Sequence, residues 1–384
     1  MTETADPKLM ATIRRFGAFD VSACFSCGVC TATCPLSTPS ASFPRKMIHY
    51  AQLGLKDKLV GRPDVWLCES CGECSDTCPR DAKPSEFMIA LRKYEISELG
   101  VPLLSRPLLT SRAFALGFLA ALSVVFLAIL TLIERPADLN SVQIFGFLPE
   151  QGVEIIGIAV GVVALGTALV GVLRLWRTMA RAAPQPIAAA TAAADGAAEA
   201  SAPWTKTMVP TLKDVLLQKR TQSCASEKNA APWWTSRWFV HAAVFWGFLG
   251  LLLATILRFV AVPIHGELVP PWEPIRLLGI VSGIALLYGT AMMMLRRLRK
   301  ADRYTSRSTF MDWAFIVLLF LAGLGGFLVD IAQYASLPLW AYAFMVFHLV
   351  VVFDLLMLIP FTKFAHVVYR PMALWLSRLY RYIP

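Results

Sequence analysis

The sequence predicts a mainly α protein in two parts, a small cysteine-rich helical domain followed by six membrane-spanning helices. Three observations predict it. Of 384 residues, 57% are apolar and only 16% charged, too apolar for a soluble chain and long enough for two domains. Eight of the nine cysteines fall between Cys24 and Cys78, and Cys224 stands alone beyond them. Apolar runs near 112–133, 152–175, 238–262, 274–295, 311–331 and 339–365 each reach the ~20 residues a helix needs to cross a ~30 Å hydrocarbon layer.

The cysteines come first in the chain. Residues 1–20 carry Glu3, Asp6, Lys8, Arg14, Arg15 and Asp20 with no apolar core of signal-peptide length, so the cysteine domain is expected in the cytoplasm and its thiols outside a disulfide scaffold. Cys24-Phe-Ser-Cys27-Gly-Val-Cys30-Thr-Ala-Thr-Cys34-Pro35 and Cys68-Glu-Ser-Cys71-Gly-Glu-Cys74-Ser-Asp-Thr-Cys78-Pro79 both follow the C-x2-C-x2-C-x3-C-P run of two-cluster ferredoxins. Zinc sites take four ligands in two pairs and need no quartet repeated with its proline. In the crossed arrangement of such runs, Cys24, Cys27, Cys30 and Cys78 hold one [4Fe–4S] cluster, and Cys68, Cys71, Cys74 and Cys34 the second. Gly28 and Gly72 sit inside the ligand loops, where backbone N–H groups approach the sulfides. Between the motifs, Met47, Tyr50, Ala51 and Leu55 predict a helix over 43–59 packed on the clusters, with His49 on the surface.

Expected boundaries follow from composition: 1–105 for the ferredoxin-like domain, 106–180 for two membrane helices, 181–205 for an Ala/Pro flexible linker, and 206–384 for an amphipathic segment and four more helices. Alanines broken by Pro184, Pro186, Asp195, Gly196 and Pro203 mark the linker. Leu212, Val215 and Leu216 beside Lys219 and Arg220 predict a short helix on the inner membrane surface. Basic residues crowd 174–237 and 296–310, whereas Arg135 is the only one in the outer segments 134–150, 263–273 and 332–338. That asymmetry places both termini in the cytoplasm and explains the net charge of +10 without nucleic acid as a partner.

His241, His265, His348 and His366 lie in or beside the last four spans, where ionisable residues point to function. His348 and His366 are eighteen residues apart, five turns and about 27 Å on one face of a straight helix, suited to two stacked haems. His241 opens the third span and His366 closes the sixth on the same side, so the pair is expected to ligate an inner haem. An outer haem at His348 has only His265 as a histidine partner, and a wet loop histidine is an equal reading of that residue. Glu267, Glu273 and Arg276 gather near His265, and interfacial anchoring beside Trp272 is their competing reading. Asp354 and Lys363 are further ionisable residues of the sixth span.

The segment His348-Leu-Val-Val-Val-Phe-Asp-Leu-Leu-Met-Leu-Ile-Pro360-Phe-Thr-Lys-Phe-Ala-His366 resembles the haem-binding helix of the respiratory nitrate reductase gamma-subunit family. The cysteine domain resembles the C subunit of heterodisulfide reductase. Together they resemble the C-subunit family of quinone-interacting membrane-bound oxidoreductase complexes. The resemblance implies a six-helix cytochrome b bundle with one haem b or two, an outer-side quinol site with His265, Glu273 and Arg276 as candidates, and soluble flavin/iron–sulfur subunits of the heterodisulfide reductase A type as partners. It implies a bacterial or archaeal cytoplasmic membrane. One departure stands out: the gamma-subunit family draws its outer-haem partner from a second histidine in the helix of the inner ligand, and Leu251 to Thr255 has none.

The expected function is a membrane electron-transfer subunit linking the quinone/quinol pool, haem b and two clusters to a soluble partner. No Gly-rich dinucleotide fingerprint is present, so substrate catalysis is expected in partner subunits. The alternatives are a redox-driven ion transporter, supported by Gly323, Gly325 and Gly326 in the fifth span and by charged residues in the fifth and sixth, and a redox sensor, for which no output module is visible.

Overall fold

The computed structural model describes residues 4–18, 21–37, 42–182, 204–218, 220–221, 232–261, 270–300 and 308–380. Residues 183–203 of the expected linker, Cys224 and His265 lie outside the described residues, and the linker's ends, 181–182 and 204–205, belong to helices. Those described form helices and loops, with no strand among them.

The N-terminal domain contains α1 (Leu9–Arg14), α2 (Val29–Ala32), α3 (Arg45–Gln52), α4 (Pro63–Leu67), α5 (Glu73–Asp76) and α6 (Pro84–Leu99). Helix α6 is its axis and is buried on nearly every side. Helix α3 is shorter than the expected 43–59. It buries Met47, Ile48 and Ala51 and leaves His49 exposed. It stops because Gly54 turns at φ +72°, where a Cβ would lie 2.5 Å from the Asp6 carbonyl oxygen.

Helix α7 (Pro102–Thr110) leads into α8 (Arg112–Thr131), which Ser111 caps by accepting from Phe114 N at 3.3 Å. After α9 (Ile144–Phe147) comes α10 (Glu150–Ala182), then α11 (Trp204–Leu217), α12 (Arg237–Ala261), α13 (Pro274–Leu298), α14 (Phe310–Tyr334), α15 (Pro338–Leu358) and α16 (His366–Leu379). Helices α8, α10, α12, α13, α14 and α15 are long and apolar enough to cross a membrane. Their outward faces are apolar and exposed, as lipid-facing surfaces are. The α12–α13 contact is close because Gly289 lies against α12, where a Cβ would stand 2.9 Å from the Val240 carbonyl.

The expected straight sixth helix through 339–365 breaks. Helix α15 ends at Leu358, two short 3-10 turns follow over Ile359–Phe361 and Lys363–Ala365, and Thr362 between them is extended at φ −125°, ψ −173°. Pro360 has no N–H to continue the helical ladder, and Thr362 Oγ1 donates to the Leu358 carbonyl at 2.8 Å. His348 and His366 therefore occupy separate helices, and the five-turn phase relation does not hold.

Helix α16 runs beneath the cysteine domain. Trp66 meets Tyr369 edge-on at 5.3 Å, and a single apolar core joins Trp66, Met88 and Tyr94 to Leu175, Tyr369 and Ala373. Helix α11 docks on α16 through its threonines: Trp375 donates to Thr207 Oγ1 at 3.1 Å and Arg378 to Thr211 Oγ1 at 2.9 Å. Its Met208, Val209, Leu212 and Leu217 stay exposed, the arrangement of an interfacial helix.

Candidate redox centre

The two cysteine motifs fold alike. In each, the serine after the first cysteine is left-handed, Ser26 at φ +60° and Ser70 at +52°, and so is the glycine that opens the next short helix, Gly28 at +89° and Gly72 at +93°. The turn aims the Ser26 N–H at Cys24 Sγ and the Ser70 N–H at Cys68 Sγ, both at 3.4 Å. Nothing stands within 4 Å of a Cβ built on Gly72, so its backbone angle is what calls for glycine.

The thiols gather in two groups. Cys30 has Cys24, Cys27 and Cys78 around it, and burial first and those thiols next push it up. Cys34 is pushed up to about 12, by burial first, with Cys68 and Cys71 beside it. Burial also raises Cys74, again next to Cys68, Cys71 and Cys34. Cys34, Cys68, Cys71 and Cys74 line one pocket with Pro35, Phe43 and Met88. Buried thiolates need a compensating cation. Among the described residues no three His, Cys, Asp or Glu side chains close tightly enough for a lone metal ion, whereas four thiols around a pocket fit a larger inorganic cluster.

Residues 20–82 match the 4Fe-4S dicluster domain family. Citrate utilization protein B of Escherichia coli is 29% identical over 221 residues, 55% of this chain and 52% of that protein. The chain thus spans about half the length of the curated relative it matches. No solved structure matches the chain. The protein joins a dicluster domain, an electron-transfer module, to helices able to span a membrane.

Beside the dicluster domain lies a histidine pair. The His241 and His366 rings are 6.4 Å apart between centroids, with planes at 62°. Two imidazoles on one metal, each nitrogen ~2.0 Å from it, place their centroids about 6 Å apart. His366 Nδ1 donates to the Lys363 carbonyl at 2.6 Å, and His241 Nδ1 lies 2.9 Å from Gln218 Oε1. Oxygen acceptors at Nδ1 leave each Nε2 unprotonated and fix its ring, the requirement for a metal-ligating histidine. Burial first, then the neighbouring His241, holds His366 down to about 3, so it is a neutral imidazole. Phe248, Phe315 and Phe364 form an aromatic cluster nearby. The donor set and its spacing fit a bis-histidine haem. Gln218 escaped sequence reasoning because it follows the interfacial helix and joins His241 only through the fold.

His348 lies on α15. Its ring packs on α14, where a Cβ on Gly325 would be 3.1 Å from Nδ1, and Nδ1 is buried without a hydrogen bond among the described residues. Lys363 is 3.4 Å from Asp312. Asp354 accepts from Ser123 Oγ at 2.7 Å and so ties α15 to α8.

At the other end of the bundle, Arg276 pairs with Asp330 at 3.2 Å and stacks its guanidinium 4.7 Å over the Tyr334 ring. These three line a cavity of about 440 Å³ with Pro271, Ile280, Phe327, Ile331 and Ala335. Glu273 is occupied as the N-cap of α13, accepting from Arg276 N at 2.8 Å. Asp330 lies five residues beyond Gly325, about 7 Å further along α14 than the contact with His348. Asp330 and Tyr334 were missed because they sit at the end of an apolar run whose period does not mark them.

Proposed function

We propose that the chain is the membrane subunit of an oxidoreductase complex, passing electrons between the quinone/quinol pool and a soluble flavin or iron–sulfur partner. The observation that carries the reading is the His241–His366 pair, 6.4 Å apart with both Nδ1 atoms committed to oxygen and both helices reaching the dicluster domain. Cys24, Cys27, Cys30 and Cys78 hold one [4Fe–4S] cluster, and Cys34, Cys68, Cys71 and Cys74 the other. His241 and His366 hold an inner haem b; His348, with His265, is assigned to an outer one. When bound, these groups supply one-electron chemistry at fixed positions.

The remaining work falls to side chains and backbone. The Ser26 and Ser70 N–H groups donate to thiolate sulfur, which stabilises the more negative state of each quartet. Gln218 and the Lys363 carbonyl keep the two imidazoles in register. In the outer cavity Arg276 and Tyr334 are placed to donate to the oxygens of a quinol headgroup, and Asp330 to receive a proton as quinol gives up two electrons and two protons. Resemblance of the bundle to the nitrate reductase gamma-subunit family supports the same side for quinol.

The name of the Escherichia coli relative favours a second reading of the terminal substrate, a tricarboxylate such as citrate or a derivative handled by a partner subunit. Co-purification in mild detergent identifies that subunit. The central test is the reduced-minus-oxidised spectrum of the full chain: a low-spin b-type haem is expected, lost in His366→Ala and His241→Ala while iron–sulfur content stays. A native chain that binds no haem refutes the conduit.

A further inference from the structure

The two cysteine loops share a backbone but are held by different parts of the molecule. In the first, Arg45 donates to the Ser26 carbonyl at 3.4 Å and Gln52 to the Cys24 carbonyl at 3.0 Å, both from α3 of the same domain. Phe25, between Cys24 and Cys27, is 61% exposed. The corresponding residue of the second loop is Glu69, and its side chain is only 7% exposed.

Glu69 is gripped by the bundle. Its carboxylate pairs with Arg370 and accepts from Thr221 Oγ1 at 3.4 Å. Arg237 donates to the Ser70 carbonyl at 3.1 Å and to the Glu69 carbonyl at 3.4 Å. Arg92 of α6 takes the Cys68 and Val65 carbonyls from the domain side. Arg237 stands four residues before His241 and Arg370 four residues after His366, so each arginine lies one turn from a histidine on the same helix face. The elements that present the imidazoles also seize the second cysteine loop.

We propose that Glu69, clamped by Arg370 and Arg237, is a positioning residue that fixes the Cys34/Cys68/Cys71/Cys74 site against the His241–His366 pair, making that quartet the port between bundle and dicluster domain. The Cys24/Cys27/Cys30/Cys78 site, whose loop is held within its own domain, is then the more distant of the two. This rests on the conduit reading above.

The test uses the full chain in detergent, as native protein, Glu69→Lys, the charge swap Glu69→Lys/Arg370→Glu, and Phe25→Lys at the equivalent position of the first loop. Iron, sulfide and haem contents are measured, with amide hydrogen exchange over 63–71. Stopped-flow mixing with a water-soluble quinol follows the haem band and the iron–sulfur absorbance separately. Losing a charge-assisted pair loosens the loop by roughly tenfold or more. In Glu69→Lys, exchange over 63–71 is expected to quicken and iron–sulfur reduction to slow by about that factor, with haem reduction at the native rate. The swap restores both, and Phe25→Lys changes neither. Should Glu69→Lys lose iron, Glu69→Gln replaces it with the same split expected.

Iron–sulfur reduction at the native rate in the Glu69 variant overturns the proposal, as does equal slowing in Phe25→Lys or a swap that fails to recover. Native protein without haem overturns the conduit reading and this one with it. Haem reduced normally with no effect at Glu69 overturns the clamp alone.

Discussion

The dicluster domain is fastened to the bundle by a buried ion pair whose removal has a calculable effect. Lys93 of α6 reaches Asp312 of α14 at 2.5 Å, with side-chain exposures of 3% and 4%, and Thr309 Oγ1 at 3.2 Å. Asp312 also caps α14, accepting from Thr309 N at 2.8 Å, and Lys363 lies 3.4 Å away. Replacing Lys93 with methionine keeps the volume and removes the charge. Breaking a buried pair costs about 3–5 kcal/mol when the survivor is uncompensated. Here Lys363 and the cap remain, so the expected cost is at the low end, about 3 kcal/mol. At 1.4 kcal/mol per decade, local opening of α6 becomes roughly a hundredfold more frequent. Amide exchange over 84–99 in full-length protein reads this directly. The double variant Lys93→Met/Asp312→Leu leaves no uncompensated carboxylate but strips the cap and the partner of Lys363, so its cost should stay below the sum of the two single variants. Native exchange in Lys93→Met, or a double variant worse than the sum of the singles, refutes the reasoning.

Cys78→Ala is expected to change the electron paramagnetic resonance signal of the site containing Cys24 and to spare the one containing Cys68, although Cys78 belongs to the second motif by sequence; the reverse pattern refutes the crossed grouping. Gln218→Ala removes the acceptor at His241 Nδ1 and should weaken haem retention by about 10-fold or more, the usual cost of losing a histidine's outer partner, read by haem per chain after dialysis against apomyoglobin. Glu95 is buried in α6, and burial pushes its carboxyl well above the ordinary 4.5, opposed by Trp66, Gly61 and Arg92. The folded chain therefore binds this proton more tightly than the unfolded one. Its contribution is complete below pH 4.5 and is lost as pH rises through the elevated value. Glu95→Gln should flatten the decline in thermal stability as pH rises from 4.5 through the elevated value; an unchanged slope counts against a neutral Glu95.

Much of the site was legible because its determinants are local. Eight cysteines at fixed spacing dictate two loops through backbone angles alone, and the structure repeats Ser26 and Gly28 in Ser70 and Gly72. His241 and His366 were legible as partners because spans of similar length alternate in direction and bring their inner ends level. The helix break at 359–365 left a visible sign in Pro360, outweighed by the regular spacing of His348 and His366 on an unbroken helix. Glu69, Gln218 and Tyr334 carried no local sign, and Asp330 showed only as an acid near the end of the fifth span. Each joins its candidate site through a contact between elements far apart in sequence, and no periodicity marks such a contact.

The sequence by itself determined the helical class, the six apolar spans and the chemistry of the cysteines, since hydrogen-bonding demands in lipid and thiolate spacing act within a few turns of chain. Only the tertiary structure decided which cysteine loop meets the bundle, because that depends on Arg237 and Arg370 converging on Glu69 from two helices. It also decided that Gln218 orients His241, because that hydrogen bond exists only once the end of α11 has packed on α12, whereas the Lys363 carbonyl lies within one turn of His366.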